Sequence, residues 1–311
     1  MKKEVKQETP SIKSLRNFNL QQSAGFTFSA STILMVLVSI VFVIILGACG
    51  VVINPDNRPD WYLYVSFLLP QLVFVIVTLV MIFVAKTPIK EVTGKPHWKY
   101  FLIALVLQFG LISLSELNVL FVGWLQTLGL EVPPVSIPST QGWGIVGVMA
   151  VVAFLPAVLE EVIFRGFVLR GLKDFGLAAS VLLCGALFSI YHQNPAQTIY
   201  QFCCGVCFAL IAFRSGSVFP TMVAHFINNA VIVLYYHFTG NETMPVPWPV
   251  TVIAAVCLAL SVGYLIFLDK KKPSADIAQS QEPPQKDVKG FWLAAALGIV
   301  VCVVNWVSAL L

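Results

Sequence analysis

Three short motifs in this sequence place ionisable side chains inside long apolar stretches. They are LEEVIFRGF at 159–167, FSIYH at 188–192 and HFINN at 225–229. An ionisable group inside hydrocarbon is costly, so such residues are candidates for function by default. The candidates are Glu116, Glu160, Glu161, Arg165, His192 and His225. Carboxylates and imidazoles of this kind point to acid–base chemistry.

The first motif contains two adjacent carboxylates and an arginine. Glu161 and Arg165 are four residues apart, which on a helix places them on one face in the order that favours an ion pair. Glu160 is rotated by about 100° from Glu161, so we expect it to face another way and to lack that partner. The motif therefore predicts one structural carboxylate, Glu161, and one free carboxylate, Glu160.

The other two motifs each pair an imidazole with a neighbour one helical turn away. Phe188 and His192 share a face, so we expect the ring of Phe188 to support the imidazole. His225 shares a face with Asn229, while Asn228 lies slightly to one side. The second pair therefore places an imidazole and an amide donor together.

Hydrolysis of a peptide bond fits these side chains if they converge near the middle of the membrane. The reaction needs a base for the water, donors for the oxyanion and an acid for the leaving amine. Glu160 is the expected base, and Asn229 with a histidine would stabilise the oxyanion, so no serine or cysteine nucleophile is required. A zinc alternative uses His192, His225 and Glu160 as ligands. There is no HExxH motif to establish a metal, so both mechanisms stay open.

Helices in a membrane must carry these motifs, because the composition excludes a soluble globular protein. Hydrophobic residues make up 58% of the chain and charged residues only 11%, against about a quarter charged in soluble domains. The apolar runs show no strand-like alternation, and only helices satisfy an open backbone in hydrocarbon. We predict an all-α, polytopic transmembrane helical bundle of eight to nine spans. The runs are Ser31–Ile53, Trp61–Ala85, Phe101–Leu125, Trp143–Leu172, Phe175–His192, Ile199–Phe213, Val218–Tyr236, Val250–Leu268 and Phe291–Leu311.

The basic residues predict the orientation of these spans. All of the 19 Lys and Arg residues except Arg58 fall on one side when the N-terminus is placed in the cytosol. This asymmetry predicts an integral membrane protein with a cytosolic N-terminus. The basic charge then serves orientation and contact with the lipid bilayer, so no nucleic-acid partner is expected. The seven cysteines lie in apolar runs, and no disulfide framework is expected.

Composition shifts divide the chain into six expected parts. These are a basic cytosolic segment (1–30), N-terminal transmembrane helices (31–142), a catalytic membrane core (143–249), a following transmembrane helix (250–268), a disordered cytosolic linker (269–290) and a C-terminal transmembrane helix (291–311). The linker is rich in Lys, Gln, Pro and Ser, which is typical of a tether.

Taken in order, EExxxR at 160–165, FxxxH at 188–192 and HxxxN at 225–229 resemble the motifs of the CPBP family of intramembrane proteases. This family comprises type II CAAX prenyl endopeptidases, lysostaphin-resistance-type proteins and bacteriocin self-immunity proteins. The resemblance covers about Trp143–Tyr236, and every motif position matches. It implies a helical membrane protease that acts on a peptide or membrane protein.

The resemblance also implies roles for individual residues. Glu160 and His192 would activate the water, and His225 with Asn229 would form the oxyanion site. The supporting residues would be Glu161, Arg165 and Phe188. The family has been labelled metalloprotease, although a metal-free glutamate mechanism is also argued for it, so zinc stays an open cofactor. We expect the plasma membrane of a bacterium as the location.

Two other functions are compatible with the same residues. A non-enzymatic interaction protein, of the bacteriocin-immunity or sensor type, would bind a peptide or membrane protein in the same cavity. A proton-coupled transporter would use Glu116 and Glu160, although no internal repeat supports it. Glu116 matches no motif and is otherwise interpreted as a hydrogen-bonded structural carboxylate or a gate residue. The sequence does not specify the substrate.

Overall fold

Nine long helices make up most of the chain in a computed structural model that describes residues 18–55, 57–132, 136–241, 244–269 and 286–310. We label them α1 to α9; a five-residue helix, Ile89–Thr93, precedes α3, and no strand occurs among the described residues. The nine helices are α1 Leu20–Ala48, α2 Asp60–Val84, α3 Trp98–Thr127, α4 Gly144–Phe175, α5 Leu177–Tyr191, α6 Thr198–Ser215, α7 Phe219–Thr239, α8 Trp248–Leu268 and α9 Val288–Ser308.

The predicted class, a polytopic bundle of helices, is confirmed. Seven helical segments of the described chain are long and apolar enough to cross a membrane. The other two are α5 and α7, which carry or adjoin two of the polar motifs. At 15 residues, α5 is about 22 Å long, less than the hydrocarbon thickness of about 30 Å. By length, α5 alone therefore does not span the hydrocarbon.

The first helix begins at Leu20 and ends at Ala48, rather than spanning Ser31–Ile53 as predicted. A capping box explains the early start: Gln22 N donates to Asn19 Oδ1 (2.8 Å), and Asn19 N donates to Gln22 Oε1 (3.4 Å). The basic N-terminal segment lies outside the described residues up to residue 17.

The last helix is tied to the first at the start of both. Asp287 caps α9 by accepting from Gly290 N (2.7 Å), and it also accepts from Asn19 Nδ2 (2.7 Å). The hydrogen bond from Asn19 is the main reason why the pKa of Asp287 lies below its usual value. The predicted linker at 269–290 falls outside the described residues between 270 and 285.

The motif-bearing helix α4 lies at the centre of the bundle. It contacts α1, α2, α5 and α7, while α5 and α6 form an antiparallel hairpin against it. On the other side, α3 packs against α7 and α8, and α9 lies along α1. Fully buried aromatic rings from α4, α5 and α6, namely Phe164, Phe188 and Phe208, fill the centre.

The helical hydrogen bonding of α4 departs from the regular α pattern in two internal segments. Two π-helical segments, Met149–Phe154 and Val162–Val168, flank the regular turns that carry the paired glutamates. Insertions of this kind are common at functional sites, because they re-aim side chains without ending the helix. Pro156 adds a third irregularity, since it has no N–H to donate to the preceding turn.

Two glycines set the close approach of α5 to α6. A Cβ atom added at Gly205 would lie 2.8 Å from the Cα of Gly185 and 3.2 Å from the ring of Phe188. Neither neighbour can move far, because one is backbone and the other is a fully buried ring. Small residues at this crossing therefore hold the hairpin against the polar centre of the bundle.

We predict that Gly205→Ala destabilises the protein, because the added methyl group must force α5 and α6 apart. The expected loss is about 1–3 kcal/mol, the usual cost of overpacking a core. Thermal unfolding in detergent would measure it. The matched control is Gly47→Ala on α1, where an added Cβ meets nothing within 4 Å. Equal stability of the two variants would contradict the close crossing.

Candidate functional site

Glu161 and Arg165 form a fully buried ion pair on α4. Arg165 Nη1 donates to Glu161 Oε1 over 2.8 Å, and both side chains have no exposed surface. Arg165 Nη2 also donates to the Gly205 carbonyl on α6 (3.3 Å). The expected pair is thus present, and its arginine joins α4 to the α5–α6 hairpin.

His225 on α7 is bound to the same carboxylate. Its Nδ1 lies 2.9 Å from Glu161 Oε1. Because Glu161 is paired with Arg165, its carboxylate is an acceptor, and the Nδ1–H of His225 must donate to it. The remaining nitrogen, Nε2, faces away from Glu161 and towards Glu160.

Glu160 lies against this second nitrogen. Its Oε2 is 3.9 Å from His225 Nε2, too far for a hydrogen bond but close enough for strong electrostatic attraction. The same oxygen is buried and has no hydrogen-bond partner among the described residues. Buried polar atoms normally have a partner, so an unpaired carboxylate oxygen is poised to accept a proton or a hydrogen bond.

From their separation of about 100° on the helix we expect the two glutamates to face different regions. The structure instead brings both of them to the same residue. Both reach the ring of His225, each on a different nitrogen. Two methylene groups let each side chain bend back towards a shared partner, and an imidazole offers nitrogens on two edges. The two carboxylates differ in another way: Glu161 Oε1 accepts two short hydrogen bonds, whereas each second oxygen, Glu161 Oε2 and Glu160 Oε2, is buried without a hydrogen-bond partner among the described residues.

His192 follows the last residue of α5 and is half-buried. Its Nδ1 lies 2.8 Å from the carbonyl of Phe188. A carbonyl only accepts, so Nδ1 carries the proton and the neutral ring keeps its lone pair on Nε2. His192 thus offers a basic nitrogen from the hairpin turn.

The ring of Phe188 lies between the two histidines. Its centroid is 4.8 Å from that of His192 and 6.0 Å from that of His225, with both rings edge-on. The Arg165 guanidinium lies 4.3 Å from the same centroid, which is cation–π distance. Phe188 therefore spaces the two imidazoles and shields the buried arginine.

Asn229 is held by the irregular backbone of α4. Its Nδ2 donates to the carbonyl of Val152 over 3.0 Å. Pro156, four residues after Val152, has no N–H to offer this carbonyl, so the amide of Asn229 takes that place. An amide nitrogen has two hydrogens, and this bond uses one of them.

A polar network that the motifs do not reveal holds Asn229 from its other side. Asn228 Nδ2 donates to Asn229 Oδ1 (3.1 Å). Asn228 Oδ1 in turn accepts from Gln108 Nε2 and from Tyr200 Oη, both at 2.8 Å. Asn228, which we expected to lie to one side, therefore fixes the orientation of the Asn229 amide. The sequence feature that could have revealed this network is Gln108, a glutamine in the middle of an apolar run.

The structure joins these groups in two sets, of which one is the polar network of Asn228 and Asn229. Glu160, Glu161, Arg165 and His225 form one connected cluster, to which Phe188 adds His192. Among the described residues, no hydrogen bond or ion pair links His192 or Asn229 directly to Glu160. Glu116 is exposed on α3 and its carboxylate makes no hydrogen bond within the described part of the chain, so the expectation of a hydrogen-bonded structural carboxylate is wrong.

The three residues expected as zinc ligands do not form a ligand set. His225 Nε2 and Glu160 Oε2 face each other, but no group of three His, Cys, Asp or Glu side chains in the described ranges could hold a metal ion. A catalytic zinc site usually has three protein ligands. The seven cysteines are free.

Comparison with known proteins supports the resemblance to CPBP intramembrane proteases. Residues 142–231 match the family model described as Type II CAAX prenyl endopeptidase Rce1-like. The match covers less than a third of the 311 residues but includes all three motifs. No curated protein and no solved structure matches the chain. The match and the apolar helices support a membrane-integral protein with protease activity.

We predict that Arg165→Met is strongly destabilising, because it leaves the buried carboxylate of Glu161 without its cation. Breaking a buried pair in this way typically costs about 3–5 kcal/mol. The matched control is Arg170→Met on the same helix, whose pair with Glu91 is half-exposed on the glutamate side and should contribute about 1 kcal/mol or less. Thermal unfolding in detergent compares the two. A loss at Arg165 no larger than at Arg170 would contradict the structural role of the pair.

Proposed function

We propose that this protein is an intramembrane endopeptidase that hydrolyses a peptide bond of a membrane-associated protein or peptide. Glu160 is the base that activates water, and His225 with Asn229 forms the oxyanion site. The single observation that carries the proposal is the buried Glu160 Oε2, which has no hydrogen-bond partner among the described residues and faces His225 Nε2 at 3.9 Å. The match of residues 142–231 to a CAAX endopeptidase family supports the class of reaction.

A hydrogen on Nε2 of His225 in addition to that on Nδ1 requires a doubly protonated ring, and the charges of the cluster balance in that form when Glu160 is ionised. Glu160 and Glu161 carry two negative charges, and Arg165 supplies one positive charge. A second positive charge on His225 makes the buried group neutral, which avoids an uncompensated charge in a medium of low dielectric constant. His225 Nε2 then carries a hydrogen on the side of the ring that faces Glu160.

Attack on the peptide carbonyl follows from these donors and acceptors. Glu160 accepts a proton from water as the water oxygen bonds to the carbonyl carbon. The carbonyl π electrons move to its oxygen, where the Nε2–H of His225 and the second hydrogen of the Asn229 amide stabilise the negative charge. His192, with its lone pair on Nε2, orients the water from the hairpin turn.

The same carboxyl group completes the reaction. When the tetrahedral intermediate collapses, the carbon–nitrogen bond breaks and Glu160 returns its proton to the leaving amine. Glu160 thus ends each cycle ionised, as it began. Glu161 takes no proton, because Arg165 and His225 already hold its carboxylate in the charged form.

We predict that Glu160→Gln abolishes cleavage, because an amide cannot accept the proton from water. Loss of a general base costs about 100-fold to 10,000-fold in kcat. Proteomics enriched for new N-termini, on membranes from cells that carry the native chain or Glu160→Gln, would identify peptides that appear only with the native chain. The purified proteins would then be compared on such a peptide.

Glu116→Gln is the matched control, since it makes the same change at an exposed glutamate on α3. It should cleave at the native rate, and both variants should insert and unfold like the native protein. Native cleavage by Glu160→Gln would refute the proposed function. Loss of a cellular phenotype with Glu116→Gln, without a change in cleavage, would instead support transport.

The same proposal predicts that a chelator does not inhibit the enzyme, because the base is a carboxylate and the described residues hold no three-ligand metal site. The purified protein should keep its activity after treatment with 1,10-phenanthroline and removal of the chelator. Glu160→Gln serves as the reference for background cleavage. Loss of activity that added zinc restores would show that the mechanism requires a metal.

A further inference from the structure

The turn that follows His192 has an unusual backbone. Gln193 has a φ of 50°, in the left-handed region that residues with a side chain seldom adopt. A short helical turn, Pro195–Gln197, follows before α6 begins. Other parts of the protein must hold this conformation, because the backbone does not favour it.

The last helix supplies two of the contacts that hold the turn. Asn305 Nδ2 donates to Gln193 Oε1 (2.5 Å), and Trp306 Nε1 donates to Thr198 Oγ1 (2.7 Å). Gln193 Nε2 also contacts Cys302 Sγ at 3.9 Å. One face of α9 therefore binds both ends of the turn, at Gln193 and at Thr198.

The path from these contacts to the imidazole is short. His192 is the residue before Gln193, and its backbone N donates to the Ser189 carbonyl (3.2 Å). Ser189 Oγ donates to the carbonyl of Thr198 (2.7 Å), the residue that Trp306 binds. Movement at either end of the turn thus changes the position of His192.

The first helix fixes α9 in its place. Gly298 N donates to Ser29 Oγ (3.2 Å), and Ser29 Oγ donates to the Ala294 carbonyl (2.6 Å). A Cβ added at Gly298 would lie 2.7 Å from the Cα of Ser29, so the two backbones are in close contact. The last helix is therefore a rigid support rather than a loosely tethered one.

We infer that Asn305 and Trp306 are positioning residues for the reaction, and that they hold His192 in place through the turn from Gln193 to Thr198. This inference rests on the proposed function, because it assigns His192 to the water. It gives the last helix, which lies outside the segment that matches the protease family, a part in the active site.

The decisive variant is Asn305→Ala, which frees Gln193 while leaving the catalytic groups unchanged. A displacement of His192 by about an ångström should lower kcat by about 10-fold to 100-fold. KM should stay near its native value, because no group that binds the substrate is removed. Val304→Ala is the control: it truncates a neighbouring, exposed side chain of the same helix and should not change kcat.

A rescue experiment separates positioning from general packing. Glycine adopts the left-handed conformation at no cost. Adding Gln193→Gly to Asn305→Ala should therefore recover most of the lost kcat, since the turn no longer needs to be held. In the Gln193→Gly background, Asn305→Ala should have no further effect. Rescue would not occur if Asn305 merely stabilised the bundle.

The tryptophan gives a second, independent comparison. Trp306→Phe keeps most of the ring but removes the N–H that binds Thr198, so kcat should fall. Trp292→Phe makes the same change near the other end of α9, on a half-exposed ring, and should leave kcat unchanged. Native kcat in both Asn305→Ala and Trp306→Phe would overturn the inference, and so would a loss that Gln193→Gly does not recover.

Failure of the proposed function would give a different result from failure of this inference. In that case the native chain would show no cleavage that depends on Glu160. The link between turn and helix can still be measured, because thermal unfolding of Gln193→Ala, Asn305→Ala and the double variant does not require activity. Non-additive losses of stability support the contact between the two residues, and additive losses refute it.

Discussion

The buried ion pair between Glu161 and Arg165 is the interaction on which the site depends. Removing two charges from water is expensive, and the cost is offset only when further hydrogen bonds satisfy the pair. Here those bonds come from other helices: Gly205 on α6 accepts from the arginine, and His225 on α7 donates to the glutamate. The pair therefore ties three helices together around one carboxylate. In the proposed mechanism it also separates the roles of the two glutamates, because the carboxylate that binds the arginine is not available as a base.

The irregular backbone of α4 is the second constraint. A regular helix would use the carbonyl of Val152 internally, but Pro156 cannot donate to it, and Asn229 does so instead. The π segments on either side of the glutamates shift the phase of the helix, and Glu160 and Glu161 lie in the regular turns between them, facing α7. Departures from ideal helical geometry thus cluster where polar side chains of neighbouring helices must meet.

The spacing of residues predicted the contacts within each helix. Glu161 with Arg165, and Phe188 with His192, meet as their separation by four residues requires. The sequence also contains the signal for the early start of α1, since Asn19 and Gln22 have the spacing of a capping box. The contact of both glutamates with His225 could not be predicted from the sequence, because the reach of a flexible side chain does not follow from the helical period.

Contacts between distant parts of the chain could not be predicted, and they decide how the site is completed. The turn between α5 and α6 is held by side chains from two helices that are distant in sequence. Asn118 on α3 donates to the Ala196 carbonyl and accepts from Tyr200 N, while Asn305 and Trp306 on α9 bind Gln193 and Thr198. Nothing near these residues in the sequence indicates which distant group each of them binds. The motif-bearing core therefore depends on helices without motifs, because polar groups of this turn find their partners on α3 and α9.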